Sequence, residues 1–323
     1  MRELEIGKNE AGQRLDKFLG KYMRLAGKGF LYKMMRKKNI TLNGKRCEGG
    51  EKLEEGDVVR LFLSEETIDK FSDKELLKSF QDSSLNKASG KLEILYEDPD
   101  ILLLNKPAGV LSQGDGRGEE SLVEMLIGYL LESGSLSREE LGSFRPSVCN
   151  RLDRNTSGIV SAGKTLAGLQ FLSEVFRDRT IHKDYQCIVA GEIRKTKTIE
   201  GWLVKDEKAN KVFVFKEQQP GGVPIRTRYE PLAVHDGHSL LKVRLYTGRS
   251  HQIRAHLSSI GHPIVGDRKY GGERGFPHQL LHSCRLEFPV CSGRFSYLSG
   301  KVFEAPLPEE FQAAIRKWNL ETV

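Results

Sequence analysis

The stretch Arg151-Leu152-Asp153-Arg154-Asn155-Thr156-Ser157-Gly158, running on into Ile159-Val160, decides how this chain reads. It places one carboxylate between two guanidinium groups and then hands the chain, through small hydrogen-bonding residues and a glycine, to an apolar strand. Opposite charges nearby favour the charged form of an acid, so Asp153 suits a nucleophile or an electrostatic anchor better than a general acid. By itself the tetrad is also the pattern of an ion-paired surface turn. Downstream, Leu166 to Phe176 has helical apolar spacing. Strand-like stretches follow at Tyr185 to Val189, Thr198 to Val204, Lys211 to Phe215, Arg226 to Leu232 and Leu240 to Tyr246. Many strands with few helices between them predict an α+β fold around a mixed, largely antiparallel sheet.

Upstream, Leu92 to Tyr96 and Ile101 to Asn105 read as strands around Asp98-Pro99-Asp100, and Lys106-Pro107-Ala108-Gly109 turns the chain. A helix is expected from Ser121 to Leu131. The segment 64–90 is rich in Ser, Asp, Lys and Glu and reads as a linker with one short helix around Asp69 to Phe80. Before it, Gln13 to Leu63 reads as a compact α/β module. Leu15, Phe18, Leu19 and Tyr22 give one amphipathic helix, and Leu31, Met34 and Met35 the inner face of a second, Phe30 to Lys38. Ile40-Thr41-Leu42 then alternates like a strand, and Asn43-Gly44 is a hairpin signal. The expected layout is a module at 1–63, a linker at 64–90 and a larger domain at 91–323.

At 323 residues, 29% charged and 38% hydrophobic, the chain suits about two soluble domains. There is no signal-peptide core and no run of about 18 apolar residues, so a cytoplasmic protein is expected. Cys47, Cys149, Cys187, Cys284 and Cys291 are odd in number and contain no C-x-x-C, which argues against a zinc ribbon or a disulfide framework. The net charge of +7 is unevenly placed. Arg14 to Arg46 holds eleven Lys or Arg against one acid, Asp16, a balance of +10 that leaves −3 for the rest. A basic module on a nearly neutral body points to a polyanionic partner. Its candidate phosphate contacts are Arg14, Lys17, Lys33, Arg36, Lys37, Lys38, Lys45 and Arg46.

A second constellation is Thr247-Gly248-Arg249-Ser250-His251-Gln252-Ile253-Arg254-Ala255-His256-Leu257. Ser250 is read as the N-cap of a helix that Gly261 and Pro263 terminate. This puts Arg249, Ser250 and His251 at a strand-to-helix junction suited to an anion. Five residues separate His251 from His256, about 140° around a helix, so the pair cannot chelate one metal ion. Gln252 and Arg254 read either as RNA contacts or as a solvated or ion-paired helix face.

Two resemblances join these pieces. R-L-D-K-F-L, the basic second helix, I-T-L-N-G-K-R and K-L-E-E-G-D-V-V-R resemble the S4-type RNA-binding domain, which implies RNA as the polyanion. L-N-K-P-A-G-V at 104–110, R-L-D-R-N-T-S-G at 151–158, K-D-Y at 183–185, T-G-R-S-H-Q-I-R-A-H-L at 247–257, G-H-P-I-V-G-D-R-K-Y at 261–270 and Leu280-Leu281-His282-Ser283 together resemble pseudouridine synthases of the RluA type. The layout is similar to members acting on large-subunit ribosomal RNA. The resemblance implies that Asp153 is the catalytic aspartate, that Tyr185 stacks on the target base and that Arg249 pairs with Asp153. Lys106, Arg151, Arg154, His251, Gln252 and Arg254 join the expected RNA contacts. Three departures are visible: Asn150 stands where the family has His before R-L-D, Ser112-Gln113-Gly114 where it has a His-Pro pair, and Ser250 where it has Thr.

The implied reaction flips a uridine out of folded RNA, at an unstacking cost of a few kcal/mol. Asp153 attacks ribose C1′ or uracil C6, or assists proton loss from C2′, and the residues leave these routes open. Tyr185 offers a ring for stacking and a hydroxyl for proton relay. No electrons or phosphoryl groups move, so neither cofactor nor metal is expected, and a monomer is the default. The alternatives are a catalytically lapsed RNA-binding or ribosome-assembly factor, and transfer RNA in place of ribosomal RNA as substrate.

Overall fold

The computed structural model describes residues 1–72, 92–114 and 119–321. Its first unit comprises β1 (Arg2–Glu5), α1 (Leu15–Tyr22), α2 (Lys28–Arg36), β2 (Ile40–Leu42), β3 (Lys45–Arg46), β4 (Val58–Leu61) and α3 (Glu65–Phe71). The four strands form an antiparallel sheet in the order β1-β4-β2-β3. Asn43 and Gly44 turn the β2–β3 hairpin with φ of 49° and 74°, the left-handed pair that a two-residue turn needs to match strand twist. Leu15, Phe18 and Leu19 of α1 and Leu31, Met34 and Met35 of α2 pack on Ile40, Val59 and Leu61. Ile68 of α3 enters the same core, and Leu25 N donates to Phe71 O at 3.0 Å. Helix α3 overlaps only the first residues of the helix expected around Asp69 to Phe80, whose remainder lies outside the described residues, and the packed unit continues past Leu63. The remainder of the expected linker lies outside the described residues.

The larger unit contains β5 (Glu93–Glu97), β6 (Ile101–Lys106), α4 (Leu122–Glu132), α5 (Arg138–Ser143), β7 (Ser147–Val148), β8 (Ser157–Gly163), α6 (Leu166–Arg177) and β9 (His182–Ala190). There follow β10 (Lys197–Asp206), β11 (Lys211–Phe215), β12 (Val223–His235), β13 (His238–Leu245), α7 (Gln252–Ser259), β14 (Leu281–Glu287), β15 (Val302–Glu304) and α8 (Glu309–Lys317). Eleven strands form one mixed sheet in the order β11-β10-β12-β13-β9-β14-β8-β6-β5, with β15 on β14 and β7 on β8. Only β14 with β8 is parallel among the described pairs. The sheet is thus mixed and largely antiparallel.

The four apolar residues of β6 explain its central position. Leu102 and Leu104 point into one core with Val160, Tyr185 and Val243, while Ile101 and Leu103 point into another with Ile159 and Leu172. A strand covered on both faces has no need of a polar side, so it reads as a continuous apolar run. Where β8 meets β14, Gly158 (φ +111°) lies opposite Ser283, and a Cβ there would collide with the Ser283 carbonyl. The glycine that ends the R-L-D-R-N-T-S-G motif is therefore required by the close approach of two strands.

Candidate active site

The loop that carries Asp153 lies between β7 and β8 and is held from several sides. The Ser112 hydroxyl accepts from Leu152 N at 3.0 Å and donates to Leu152 O at 2.9 Å, bracing the residue just before Asp153. Thr156 N donates to Asp153 O at 3.0 Å, and Gln279 Nε2 donates to Thr156 Oγ1 at 3.1 Å. Gly109 N and Lys106 Nζ both donate to Arg154 O, each at 2.9 Å. Lys106 is fully buried and spends its other two N–H groups on Pro107 O and Val110 O. Burial pushes its ammonium down to about 7, against the charge of Asp153. The expected RNA contact at Lys106 is thus corrected: with all three donors committed to main-chain carbonyls, it braces the K-P-A-G turn against the Asp153 loop.

The guanidinium that meets Asp153 belongs to Arg254. Arg254 Nη1 donates to Asp153 Oδ2 at 2.8 Å, while Nε and Nη2 grip Asp267 bidentately at 2.7 and 2.9 Å. Burial alone would lower the Arg254 guanidinium, but its bonds to Asp267 and the Asp153 charge raise it. Tyr270 stacks beneath, with its ring 5.1 Å from Arg254 Cζ and its hydroxyl 2.9 Å from His251 Nδ1. His251 Nε2 is 3.9 Å from Asp153 Oδ2. Burial lowers this imidazole, the Asp153 charge opposes, and Arg254 and Lys269 add to the lowering. Tyr185 projects from β9 into the core that also holds Leu152 and Ile253, and burial raises its hydroxyl well above the ordinary tyrosine range. Ser283 counters that rise, and the charge of Asp153 adds to it.

Arg249 does not pair with Asp153. It is exposed in the turn before α7, and no described residue forms an ion pair with its side chain. Its main-chain N instead donates to Gln252 Oε1 at 3.1 Å. The N-cap is His251, in the left-handed region at φ 56°, in place of the expected Ser250. Helical spacing carries a signal for the true arrangement. His251 and Arg254, three apart, share the face toward Asp153, whereas Gln252 and His256, four apart, share the face toward β12. Thr227 Oγ1 on β12 lies 3.0 Å from both Gln252 Nε2 and His256 Nδ1. Gln252 also bonds Thr247 and Arg226 O. Gln252 and Arg254, 2% and 7% exposed, are therefore removed from the expected RNA contacts.

The other expected contacts divide by exposure. Lys17, Lys33, Arg36, Lys37, Lys38, Lys45, Arg46 and Arg151 are exposed. Arg14 is exposed and paired with Asp16, Arg154 is paired with Glu119, and His251 is half-buried against Tyr270. The side chain of Asn150 binds β8, donating to Ile159 O at 3.1 Å and accepting from Ser161 N at 2.7 Å. Two of the departures, Asn150 and Ser112, thus act on the protein's own main chain. Residues without an earlier role, Ser112, Asp267 and Tyr270, hold the site together. Among the described residues, no group of three or more His, Cys, Asp or Glu could hold a metal ion, and no helix is long and apolar enough to cross a membrane.

A carboxylate held by a buried arginine, in a chain whose first unit is strongly basic, fits an enzyme that works on RNA. Residues 100–259 match the model of the RNA pseudouridylate synthase family. A ribosomal large subunit pseudouridine synthase C from Vibrio parahaemolyticus is 33% identical over 88% of this chain and 87% of its own. The Escherichia coli protein of the same name is 31% identical over 97% and 95%. The solved structure of human RNA pseudouridylate synthase domain containing 4 shares the fold, with a TM-score of 0.60 over 76% of this chain and 99% of that one, at 20% identity. The chain belongs to the RNA pseudouridylate synthase family and is an RNA pseudouridine synthase, an isomerase that converts uridine in RNA to pseudouridine.

Proposed function

We propose that the substrate is large-subunit ribosomal RNA and that Asp153 is the catalytic carboxylate. The observation that carries the catalytic assignment is the Arg254–Asp153 pair, close enough to Tyr185 for the Asp153 charge to act on its hydroxyl. The relatives named for the ribosomal large subunit, matched over nearly their whole length, support the substrate.

In isomerisation the N1–C1′ bond breaks, C5–C1′ forms, and the proton lost from C5 is matched by one gained at N1. Arg254 holds Asp153 in one orientation with its remaining oxygen free to act on the ribose or the base, and costs no reorganisation at the moment of reaction. Tyr185 stays a neutral phenol in its buried setting, so it stacks on the flipped base and donates a hydrogen bond. It accepts a proton from C5 only by passing on its own. Arg249, exposed at the junction, serves RNA binding and leaves the carboxylate to Arg254. The basic first unit acts as the S4-like RNA grip, with Lys33, Arg36, Lys37 and Lys38 on phosphates. The protein works in the cytoplasm as a monomer and without a cofactor.

The test is tritium release from large-subunit rRNA transcripts carrying uridine labelled at C5, with transfer RNA transcripts in parallel. Wild type releases label from the ribosomal transcripts, and Asp153→Ala lowers the rate by on the order of 10⁴-fold or more. Equal release by the two proteins removes Asp153 from the mechanism, and release from transfer RNA alone overturns the substrate.

A further inference from the structure

Lys183 has no part in the chemistry just described, yet it lies on the same strand face as Tyr185. Two residues apart on β9, the pair are roughly 7 Å apart along the strand and point to the same side of the sheet. The Lys183 side chain is half-buried, and its Nζ sits 5.3 Å from the centre of the Phe176 ring. The same nitrogen lies against the turn that carries Arg249, 3.7 Å from where a Cβ on Gly248 would be. Arg179, exposed two residues past the end of α6 with φ 57°, is near enough for its charge to act on Lys183. No described carboxylate pairs with Lys183, Arg179 or Arg249, and the nearby Asp178 is taken by Arg177 at 2.9 Å.

Lys183 thus lies within electrostatic reach of Arg179 and against the turn that carries Arg249, and no described carboxylate pairs with any of the three. Burial lowers the Lys183 ammonium and Arg179 adds to the effect, while the Phe176 ring faces the charge and no described carboxylate pairs with it. A half-buried ammonium with no carboxylate partner leaves its charge open to an anion from outside the chain. An exposed aromatic, Tyr246, flanks the same turn with the Arg226 guanidinium 4.7 Å from its ring centre. Cations interleaved with an open ring suit a nucleic-acid strand better than an acidic protein surface, because phosphates and bases alternate on one polymer.

We propose that Lys183, with Arg179 and Arg249, forms a phosphate-binding subsite that holds the RNA backbone next to the flipped nucleotide. This rests on the reading of Asp153 and Tyr185 as the reaction centre. The occupant is one backbone phosphate close to the target uridine, and Lys183 sets how far that nucleotide enters the cleft.

The experiment measures binding of a fluorescent large-subunit rRNA transcript to the full-length protein carrying Asp153→Ala, across a salt series. Adding Lys183→Met weakens binding about tenfold at low salt and lowers the slope of log K against log salt by about one, the signature of one lost phosphate contact. Lys183→Arg restores both. Arg249→Gln, an exposed change with no packing consequence, gives a similar loss of slope. The melting temperature of Lys183→Met equals or exceeds that of the parent, as expected for removing a partly buried charge that has no carboxylate partner. Wild-type affinity and slope in both Lys183→Met and Arg249→Gln overturn the subsite, as does a lowered melting temperature of Lys183→Met with no change in Arg249→Gln. A protein with Asp153 intact that releases no tritium from any transcript instead overturns the reading on which the subsite rests.

Discussion

The two segments with the most conspicuous cationic motifs use them in opposite ways. On α2, Leu31, Met34 and Met35 are buried, and Lys33 and Arg36, with Lys37 and Lys38 just past its end, are left to solvent. In the segment 247–257 the polar residues themselves go inside: Gln252, Arg254 and His256 are buried with Ile253, Ala255 and Leu257. The difference follows from what each helix lies against. One side of α2 packs on a small core, and the other is open to water. By contrast, α7 is wedged between β12 and the Asp153 loop, so both its sides meet protein. Exposed charge acts at long range and is screened by salt. Buried charge is held by geometry and fails only when a partner is removed. The same residue types therefore give adhesion in one place and positioning in the other.

The widest contrast comes from removing Arg254. Arg254→Gln leaves the buried Asp267 carboxylate unpaired and frees Asp153 to turn, costing about 3–5 kcal/mol in urea unfolding. Tritium release by whatever folds falls steeply. An Arg254→Gln protein with normal stability would show that the pair is ornamental.

A slightly smaller effect separates the regions by pH. Burial pushes both His256 and His282 down to about 4. In His282, Nε2 donates to Ala305 O and Nδ1 accepts from the Ser157 hydroxyl, so the ring is neutral in the fold. A folded pKa below the unfolded one means that the unfolded chain binds protons first. The stability is therefore present above about pH 6.5 and is lost as pH falls towards 4, at roughly 3 kcal/mol for a shift of this size. Urea midpoints measured across that window fall less in His282→Asn than in wild type, relative to each protein's own value at neutral pH. Parallel curves would remove His282 as the cause.

Ser112→Ala leaves the Leu152 N–H and C=O without their side-chain partner, at a cost of about 1–3 kcal/mol. It lowers kcat and leaves KM nearly unchanged, because the loop that loosens carries Asp153 and not the RNA grip. A change in KM alone would place Ser112 among the substrate contacts. The mildest effect on stability is expected at α2. Replacing Lys33, Arg36, Lys37 and Lys38 with Gln alters stability by no more than about 0.5 kcal/mol per site, yet it flattens the salt dependence of binding to a large-subunit rRNA transcript. An unchanged salt slope would remove α2 from the RNA interface.

Much of the architecture was legible in the residues. The strands over 185–189, 198–204 and 211–215 fall within β9, β10 and β11, because alternation along a half-covered sheet is a local property. The β14 strand, central to the sheet, went unread because its Leu281-His282-Ser283-Cys284-Arg285 mixes polar and apolar residues without alternation. Its polar side chains find partners inside the protein, His282 with Ser157 and Arg285 with Glu287. Helix α8 and the short α5 were likewise not anticipated.

Sequence alone marked Asp153 as the acid to watch, and the resemblance of motifs added Tyr185 as its aromatic companion. It also located the basic first unit and the α+β class, since charge runs and strand alternation are local patterns. Which arginine meets Asp153 was a different kind of question. Arg151, Arg154, Arg249 and Arg254 are chemically equivalent on paper, and the one that pairs lies 101 residues away. The docking angle of α7 and the bracing of the Asp153 loop by Ser112 and Lys106 selected it. Such pairings depend on where whole elements pack, and so only the tertiary structure decided them.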